Sequence, residues 1–391
     1  MAFLQFSPSE WKLIRKVALF STAGCVLVVG GTWLFFKVRI GQKIAMETER
    51  RNPNNSTTVI PLDIEAHRNI AARYMRIGAP EKAVRHLERI HALNKKNREV
   101  TLELAHAALE AGMYQEALDY YDQLIEKNGS DSVTAPQCAR RGIALFYLNR
   151  VDESREALLE CVQRFPHNAE AFCFLGQIEA FRGLPSEKAV GYFNRSIALD
   201  SSYTEAWYQL ARVYMQQKLY PKARELLLAA VAINPFHSKS HSRLGMVYYY
   251  LDYPELARKS YQTALVLNPD DFNTHYNLGE LLYGVLGDTT SALREFKQAF
   301  ALNPKLYEAA FKIGLICMRN GMNKEAVGYF ERALSVAPED IRILLQCAVA
   351  CEKIDRFDKA KACYSRVLQV DELNSIARQK LKLIDQRTGS N

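Results

Sequence analysis

The feature that most constrains this 391-residue chain is a small side chain that returns about every 34 residues. Successive members of the series are separated by 34, 37, 35, 34, 34, 35, 34 and 34 residues. A period of roughly 20 to 50 residues predicts a repeat protein, in which each unit must stack on its neighbours to bury its apolar face. The members are Ala83, Ala117, Ser154, Ala189, Ala223, Ala257, Ala292, Ala326 and Ala360.

Each unit has the pattern of two amphipathic helices joined by a turn. In residues 204–235, apolar residues recur at the i, i+3, i+4, i+7 spacing of one helix face, first over one stretch and then over a second. Pro221 begins the second stretch, where the amide that proline lacks would have no partner within the helix. Pro235 then ends that helix. Comparable starting prolines are Pro80, Pro185 and Pro254, and comparable closing prolines are Pro166, Pro269, Pro304 and Pro338.

These hairpins resemble the tetratricopeptide repeat, whose pattern runs W-x2-L-G-x2-Y, then A-x3-F, then A and P. Weaker copies begin near Ile64, Arg98, Ala135 and Ile341. The resemblance implies an all-α, right-handed superhelical solenoid of about nine hairpins over residues 62–374. The clearest copies contain Leu244, Gly245, Tyr248, Ala257, Tyr261, Ala264 and Pro269, and then Leu278, Gly279, Leu282, Ala292, Phe296, Ala299 and Pro304.

Glycines on the predicted first helices explain how the two helices of a repeat can pack closely. We expect them to face the alanines of the second helices, so that the two backbones approach closely and larger neighbours interdigitate. Overpacking such a contact costs on the order of 1 to 3 kcal/mol, so Gly245→Leu or Ala257→Leu should loosen the array locally. The glycines concerned are Gly142, Gly176, Gly245, Gly279 and Gly314.

The array is predicted to end in a capping helix and tail at residues 375–391. Ala377, Leu381 and Ile384 fall on one stripe there, and Lys or Arg occupies much of the rest. A terminal unit of a solenoid needs one apolar and one polar face, and this stretch offers both.

An uncharged run of 20 residues, 17–36, predicts a single transmembrane helix near the other end of the chain. At ~1.5 Å per residue such a helix spans about 30 Å, the thickness of a bilayer core. A short tail, residues 1–16, precedes it, and residues 37–61 form a polar juxtamembrane linker with two prolines. A cleaved signal peptide is the alternative, although its apolar region is usually shorter.

The orientation of this segment is less constrained by the sequence. Three basic residues precede it and five follow it, a bias that favours repeats in the cytoplasm. A short basic tail, one apolar helix and a large domain also form the usual layout of a bacterial signal anchor. We adopt that interpretation and expect a single-pass protein of the bacterial inner membrane with its repeats outside the cytoplasm. The basic residues are Lys12, Arg15 and Lys16, then Lys37, Arg39, Lys43, Arg50 and Arg51.

Cysteine usage favours the opposite location of the repeats, in the cytoplasm. The repeats contain seven cysteines, an odd number with no C-x-x-C pair, and free thiols are more typical of a reducing compartment. Cys161, Cys317 and Cys351 coincide with core positions of the repeat, where cysteine packs as a small hydrophobe. We therefore interpret them as packing residues.

Charge and motifs exclude several classes of function. The net charge is +8, and residues 1–51 alone carry eight Lys or Arg against three Asp or Glu, so no strongly basic face and no nucleic-acid partner is predicted for the repeats. No phosphate-binding loop, dinucleotide fingerprint or nucleophile elbow is present. We predict no catalytic residue, no cofactor, no metal site and no small-molecule substrate.

The resemblance also implies a binding surface. In the tetratricopeptide family the first helices line a concave groove, with groove-facing side chains at their second, fifth, ninth and twelfth positions. The fifth and ninth positions here lack the Lys and Asn with which the chaperone-binding subclass grips a C-terminal carboxylate. The implied groove residues are Tyr208, Arg212, Met215, Lys239, Met246, Tyr249, Asn273, Tyr276, Glu280, Tyr283, Phe311, Leu315 and Met318.

Together these features predict a non-enzymatic, membrane-anchored scaffold that binds other proteins through its groove. By analogy with the family, its setting is a cell-envelope machine such as a pilus, secretion or flagellar-motor assembly. A membrane-tethered co-chaperone or quality-control adaptor is the alternative within binding proteins. An enzyme would need a polar cluster in a closed pocket, and the sequence indicates none.

Overall fold

The structure, a computed structural model, describes residues 64–95, 97–128, 133–181 and 187–388, and within these ranges it has nineteen α-helices and no strand. The predicted tail, membrane helix and linker, residues 1–61, lie outside the described residues. Of the helices within those ranges, none combines the length and apolar character needed to cross a bilayer. The chain divides into two compact units, Met1–Val133 and Thr134–Asn391.

The first unit contains two helical hairpins. Its helices are α1 (Ile64–Arg76), α2 (Pro80–Leu93), α3 (Arg98–Glu110) and α4 (Tyr114–Asn128). The helices bury a shared apolar core, because the small side chains of the repeat let the large ones meet between them. The core includes Ala83, Leu87, Ile90, Leu104, Ala117 and Tyr121.

The second unit contains seven hairpins and a final helix. Its first helices are α5 (Ala135–Tyr147), α7 (Ala169–Phe181), α9 (Thr204–Gln216), α11 (Ser238–Tyr250), α13 (Phe272–Gly284), α15 (Tyr307–Arg319) and α17 (Ile341–Glu352). Its second helices are α6 (Val151–Arg164), α8 (Glu187–Leu199), α10 (Tyr220–Ile233), α12 (Pro254–Leu267), α14 (Thr289–Leu302), α16 (Asn323–Val336) and α18 (Phe357–Val370), and α19 (Ser375–Thr388) follows them.

The helix boundaries confirm the phase of the predicted repeats. All four weaker copies begin where helices begin, at Ile64, Arg98, Ala135 and Ile341. Pro80 and Pro254 are the first residues of α2 and α12, whereas Pro185 lies outside the described residues. The closing prolines stand two residues beyond the last residue of their helices, which are Arg164, Ile233, Leu267, Leu302 and Val336.

Seven of the described hairpin turns share one hydrogen-bonded geometry. A residue with positive φ lies two or three residues after the first helix ends, and its amide and the next one donate back to carbonyls in the last turn of that helix. In the turn after α9, the Lys218 amide donates to the Met215 carbonyl and the Leu219 amide to the Tyr214 carbonyl. The positive-φ residues of these turns are Gly78, Gly112, Asn149, Lys218, Asp252, Gly321 and Asp355.

The five glycines of the first helices are closely packed, and the groups nearest to them are large side chains of the second helices. A Cβ added at Gly245 would lie 2.6 Å from the ring of Tyr261, and one added at Gly279 would lie 2.7 Å from the ring of Phe296. The nearest group is therefore the large side chain four residues after the alanine and not the alanine itself. In the same relation Gly142 meets Leu158, Gly176 meets Phe193 and Gly314 meets Phe330.

The small residues of the series are fully buried, as the period predicts. All eight alanines have 0% relative exposure, and so does Ser154. Because a buried hydroxyl needs a partner, Ser154 donates a hydrogen bond of 2.7 Å to the carbonyl oxygen of Gly142 on the facing helix. Serine therefore fits the one gap in the alanine series.

The first helices of unit 2 lie along one side of the stack. Each second helix packs between its own first helix and the next one, while successive first helices also contact each other from α5 through α13 and again between α15 and α17. Within the described residues, successive second helices do not contact to the same degree. Successive first helices approach each other more closely than successive second helices do. Unit 2 therefore bends toward its first helices, and these helices line its inner side.

Two further contacts tie elements of unit 2 together. The indole Nε1 of Trp207 on α9 donates a 3.0 Å hydrogen bond to the carbonyl of Ser201, in the turn after α8. At the end of the unit, α19 packs on α18 with Ala377 and Ile384 buried, and the Lys380 ammonium lies 3.1 Å from the Glu352 carboxylate.

Candidate protein-binding surface

The predicted groove residues lie on four equivalent helices of unit 2. α9, α11, α13 and α15 each have 13 residues and start in the same register of the repeat, so the second, fifth, ninth and twelfth positions recur on matching faces. Because these helices line the inner side of unit 2, the structure brings the predicted residues to one surface. That they bind a partner stays a prediction.

Exposure differs within this set. Lys239, Tyr249 and Asn273 are exposed, and the exposed fraction of Tyr249 is 41%. Tyr208 is only 6% exposed, because its ring packs edge-on against His237 with centroids 5.3 Å apart. The remaining residues are half-buried, namely Arg212, Met215, Met246, Tyr276, Glu280, Tyr283, Phe311, Leu315 and Met318.

Polar bridges join successive first helices along this surface. The Lys312 ammonium on α15 lies 2.8 Å from the Glu280 carboxylate on α13, and it also stands over the Tyr283 ring, 5.9 Å from its centroid. Between α11 and α13, the hydroxyls of Ser242 and Thr274 are 2.5 Å apart. Glu280 and Tyr283 are therefore engaged by a neighbouring helix as well as facing the inner side.

The same positions on α9 and α11 carry two positive charges. Lys312 is the sixth residue of α15 and Glu280 the ninth of α13, whereas Arg243 is the sixth residue of α11 and Arg212 the ninth of α9. Arg243 and Arg212 therefore occupy, between α11 and α9, the positions at which Lys312 and Glu280 form an ion pair between α15 and α13.

Neither guanidinium is neutralised by a carboxylate. The Arg212 Nη1 donates to the Gln209 Oε1 at 2.8 Å, and the Arg243 Nη1 lies 3.9 Å from the Met246 sulfur. Among the described residues, no Asp or Glu lies within 4.0 Å of either group. With the exposed Lys239 one turn before Arg243, these side chains form the basic cluster of the inner side, which we define as Arg212, Lys239 and Arg243.

A small cavity lies beside this surface and was not predicted from the sequence. It has a volume of about 270 Å³ and is lined by the end of α11, the following turn and the end of α13. The Tyr250 ring is stacked on Tyr220, with centroids 4.6 Å apart and an interplanar angle of 12°. The run of three tyrosines at the end of α11 was a visible signal, but only Tyr249 was assigned to the groove. The lining residues are Tyr249, Tyr250, Asp252, Pro254, Leu281 and Val285.

Burial shifts the ionisation of two groups near the surface. Burial raises the pKa of the Tyr276 hydroxyl, and the nearby carboxylates of Glu280 and Glu308 act in the same direction. Burial also lowers the pKa of His237, against the attraction of Glu205. Tyr276 is thus a neutral hydrogen-bond donor, and His237 at neutral pH is an uncharged ring that packs against Tyr208.

The cysteines of the last hairpin form a cluster that sequence reasoning missed. Cys347 and Cys351 lie on α17, Cys363 lies on α18, and all three side chains border one cavity. Cys161, Cys317 and Cys351 are fully buried, which confirms their predicted core positions. Within the described ranges, no three His, Cys, Asp or Glu side chains are arranged to hold a metal ion.

A row of stacked helical hairpins with an open inner side defines a repeat scaffold that binds other proteins along its surface. Models of the tetratricopeptide repeat match residues 75–133, 187–243 and 318–382, and a second such model matches residues 140–203 and 281–341. A TPR repeat model matches residues 255–285. The chain therefore belongs to the tetratricopeptide repeat family.

Two curated proteins are similar to part of the chain. Anaphase-promoting complex subunit 3 of Schizosaccharomyces pombe is 28% identical over 108 residues, which are 26% of this chain and 16% of that protein. BBSome complex member BBS4 of Bos taurus is 21% identical over 274 residues, which are 70% of this chain and 52% of that protein. The chain therefore spans about half or less of the length of these relatives.

Among solved structures, the crystal structure of the APC/C hetero-tetramer Cut9-Hcn1 contains a similar chain. The TM-score is 0.55 at 16% sequence identity, and the match covers 89% of this chain and 66% of that chain. At this level of identity the likeness shows a shared fold.

Proposed function

We propose that the chain is a membrane-tethered scaffold that binds an extended, acidic segment of a partner protein along the inner side of unit 2. The observation that carries the proposal is the basic cluster of Arg212, Lys239 and Arg243, where two guanidiniums occupy the positions that form an ion pair between α13 and α15. A carboxylate from a partner would supply the missing charge, and guanidiniums bind carboxylates strongly because two N–H groups donate in parallel.

The neighbouring side chains suit the rest of such a segment. Tyr249, Tyr250 and Val285 border the cavity at the end of α11, and Met215 and Met246 lie half-buried beside the basic cluster. Aromatic residues are the common anchors of protein interfaces, and methionine adapts to different partners. Acidic side chains would therefore fix the segment at the cluster while apolar ones enter the cavity.

The test is a selection from a displayed peptide library against the full chain, with binding of selected peptides measured by fluorescence anisotropy. We expect selected peptides to be rich in Asp and Glu. Changing those residues to Asn and Gln, or making Arg212→Glu with Arg243→Glu, should weaken binding by at least tenfold. Arg258→Glu with Lys259→Glu on the exposed face of α12 is the matched control and should leave binding unchanged. Binders without acidic residues, or with equal affinity for the double variant, would refute the proposal.

The tether of this proposal is the uncharged segment at residues 17–36 with its flanking basic residues. We expect the full chain to stay in the membrane pellet after carbonate extraction, and Leu27→Lys with Val28→Lys to release it because charges at a bilayer centre are costly. Protease protection of a C-terminal tag would then report the side of the repeats, for which we propose the outside of the bacterial inner membrane. Release of the unchanged chain by carbonate would argue against a tether.

The setting that we propose is a multi-subunit assembly of the cell envelope, such as a pilus, secretion or flagellar-motor complex. The names of the two curated relatives, each a complex subunit or member, support only the wider idea of a place within a multi-subunit complex. Proximity labelling from a C-terminal tag in intact cells would identify neighbours and their compartment together. A spread of unfolded clients without one stable partner would instead favour the quality-control adaptor.

A further inference from the structure

We propose that Cys347 and Cys363 form a peroxide-oxidisable dithiol that closes to a disulfide between α17 and α18. The proposal starts from position. Cys347 on α17 and Cys363 on α18 belong to one buried cluster of the last hairpin, and both side chains border one cavity of about 360 Å³. Two thiols at the wall of one open cavity can be reached by a molecule as small as hydrogen peroxide.

The surroundings make Cys363 the attacking group. Its exposed fraction is 9%, whereas Cys347 is 2% and Cys351 is 0% exposed. The hydrogen bond from Cys347 lowers the pKa of Cys363 against the effect of burial, and Arg366 and, more weakly, Lys359 act with it while Glu331 opposes them. The pKa of Cys347 is raised by its hydrogen bonds to Cys351 and Cys363, so Cys347 stays protonated as the donor. A thiolate beside basic side chains is the nucleophilic form of cysteine.

The chemistry needs one molecule of peroxide. The Cys363 thiolate attacks one peroxide oxygen, the O–O bond breaks, and Cys363 sulfenic acid and hydroxide form. The Cys347 sulfur then attacks the sulfenic sulfur, its proton leaves with the departing hydroxyl group as water, and the S–S bond forms. In total two thiols lose two hydrogen atoms and hydrogen peroxide becomes two molecules of water.

Cys351 is the competing partner, and helix geometry disfavours it. It lies one turn after Cys347 on the same helix, and side chains at that spacing have Cβ atoms about 5–6 Å apart. A disulfide requires a Cβ separation of roughly 3.5–4.5 Å. A bond within α17 would therefore distort the helix, whereas Cys363 faces Cys347 from another helix.

Tryptic digestion distinguishes the two candidate disulfides, Cys347–Cys363 and Cys347–Cys351. The full chain is treated with hydrogen peroxide, alkylated, digested without reductant and analysed by mass spectrometry. Cys347 and Cys351 fall in the peptide Ile343–Lys353, and Cys363 falls in the peptide Ala362–Arg366. We expect these two peptides to be linked, with a mass two hydrogen atoms below their sum, and dithiothreitol to separate them. Cys138 and Cys161, the two cysteines of another hairpin, lie in peptides of different mass.

Variants identify the bond. Cys351→Ser and the control Cys317→Ser, a buried cysteine of α15, should keep the linked peptides, whereas Cys347→Ser should lose them and leave Cys363 as a sulfenic acid that dimedone traps. A disulfide confined to Ile343–Lys353, or full alkylation of all three cysteines after peroxide, would overturn the proposal. The digest of the unchanged chain decides this even if Cys347→Ser fails to fold, and circular dichroism reports folding of each variant.

Discussion

Gly245 occupies a point on α11 where no side chain larger than a hydrogen atom fits. A methyl group there would overlap the ring of Tyr261, a side chain that is only 2% exposed. Gly328, in the middle of α16, has no heavy atom within 4 Å of an added Cβ. Two glycines in helices of the same repeat family therefore have opposite roles.

This contrast gives a prediction at the residue scale. Gly245→Ala should lower the free energy of unfolding by about 1–3 kcal/mol, the range for overpacking a core. Gly328→Ala should raise it by about 0.5–1 kcal/mol, because alanine loses less backbone entropy than glycine in a helix. Urea titration followed by circular dichroism measures both. Equal effects of the two substitutions would contradict the packing described for the first helices.

Lys218 carries a backbone strain that glycine would not. Its φ is 59°, a left-handed conformation that costs a residue with a Cβ roughly 1–2 kcal/mol. Lys218→Gly should therefore raise stability by about 0.5–1 kcal/mol after the larger unfolded-state entropy of glycine is counted. Glu225→Gly, at an exposed position within α10, is the matched control and should lower stability by a similar amount. Thermal unfolding of both variants checks the pair, and a Lys218→Gly protein less stable than the parent would show that the turn does not need the left-handed residue.

At this scale the sequence predicted which residues are small but not what fills the space beside them. The alanine period shows where two helices approach, but it does not show that a large side chain lies nearest to each glycine. Helical side chains lean toward the N-terminus of their helix, so Tyr261, four residues after Ala257, reaches back over Gly245. That direction follows from the geometry of two helices together and is not visible in a one-dimensional spacing.

At the scale of elements, the hairpin α13–α14 contains a buried ion pair. The His275 Nδ1 lies 2.7 Å from the Glu295 Oε2, and the side chains are 13% and 10% exposed. Burial alone would lower the pKa of His275, but the hydrogen bond to Glu295 and one to the Pro269 carbonyl raise it above its ordinary value of 6.5. Burial likewise would raise the pKa of Glu295, but His275, with a smaller contribution from Arg294, lowers it.

The pair predicts a pH window of maximal stability for this hairpin. The histidine contribution is fully present below pH 6.5 and is lost as pH rises through the raised pKa of His275. The glutamate contribution is present above its ordinary pKa of 4.5 and is lost as pH falls through its lowered pKa.

Chemical unfolding between pH 5 and 9 tests this window. The parent should lose about 1.5–3 kcal/mol of stability toward high pH relative to His275→Gln, a magnitude taken from hydrogen bonds to charged groups. Parallel pH profiles for parent and variant would show that the pair contributes nothing.

Helix boundaries were the most predictable elements, because prolines and the repeat period mark them independently. The turns were less predictable. Gly78, Gly112 and Gly321 are ordinary left-handed residues, but Lys218, Asp252 and Asp355 take the same conformation without a sequence signal of that strength. The hydrogen bonds of the turn impose the conformation on whichever residue occupies it.

At the scale of the whole molecule, a repeat array predicts local damage from a local defect. Within unit 2, the described hairpins pack mainly on the hairpins next to them, so the stability of each is the sum of its own contribution and those of its interfaces. Gly314→Leu should reduce amide-exchange protection in α15 and α16 and, to a smaller extent, in α14 and α17. The helices α1 to α4 of the first unit should keep their protection. Hydrogen exchange read by mass spectrometry resolves these segments, and a uniform loss over both units would contradict modular stability.

The binding surface was predictable only in register. The family pattern assigned residues to the inner side, and the four helices α9, α11, α13 and α15 have equal length and place those residues at equivalent positions. The basic cluster was not predicted from the sequence, because whether a charged side chain is paired depends on residues of another helix. Glu280 is paired through Lys312, while Arg212 has no carboxylate partner among the described residues. The clustering of Cys347 with Cys363 was not predicted for the same reason, since it depends on how α18 packs on α17.

The hydrogen bond of Trp207 has an optical consequence. The chain has three tryptophans, and Trp207 is the one that belongs to the repeats, the others being Trp11 and Trp33. Intrinsic emission from a chain that begins at the repeats would thus come from one chromophore at the joint between α8 and α9. A melting curve recorded by fluorescence would follow unfolding at that joint, whereas ellipticity averages over every helix. If the two curves do not coincide, their difference shows whether this joint unfolds before or after the rest of the stack.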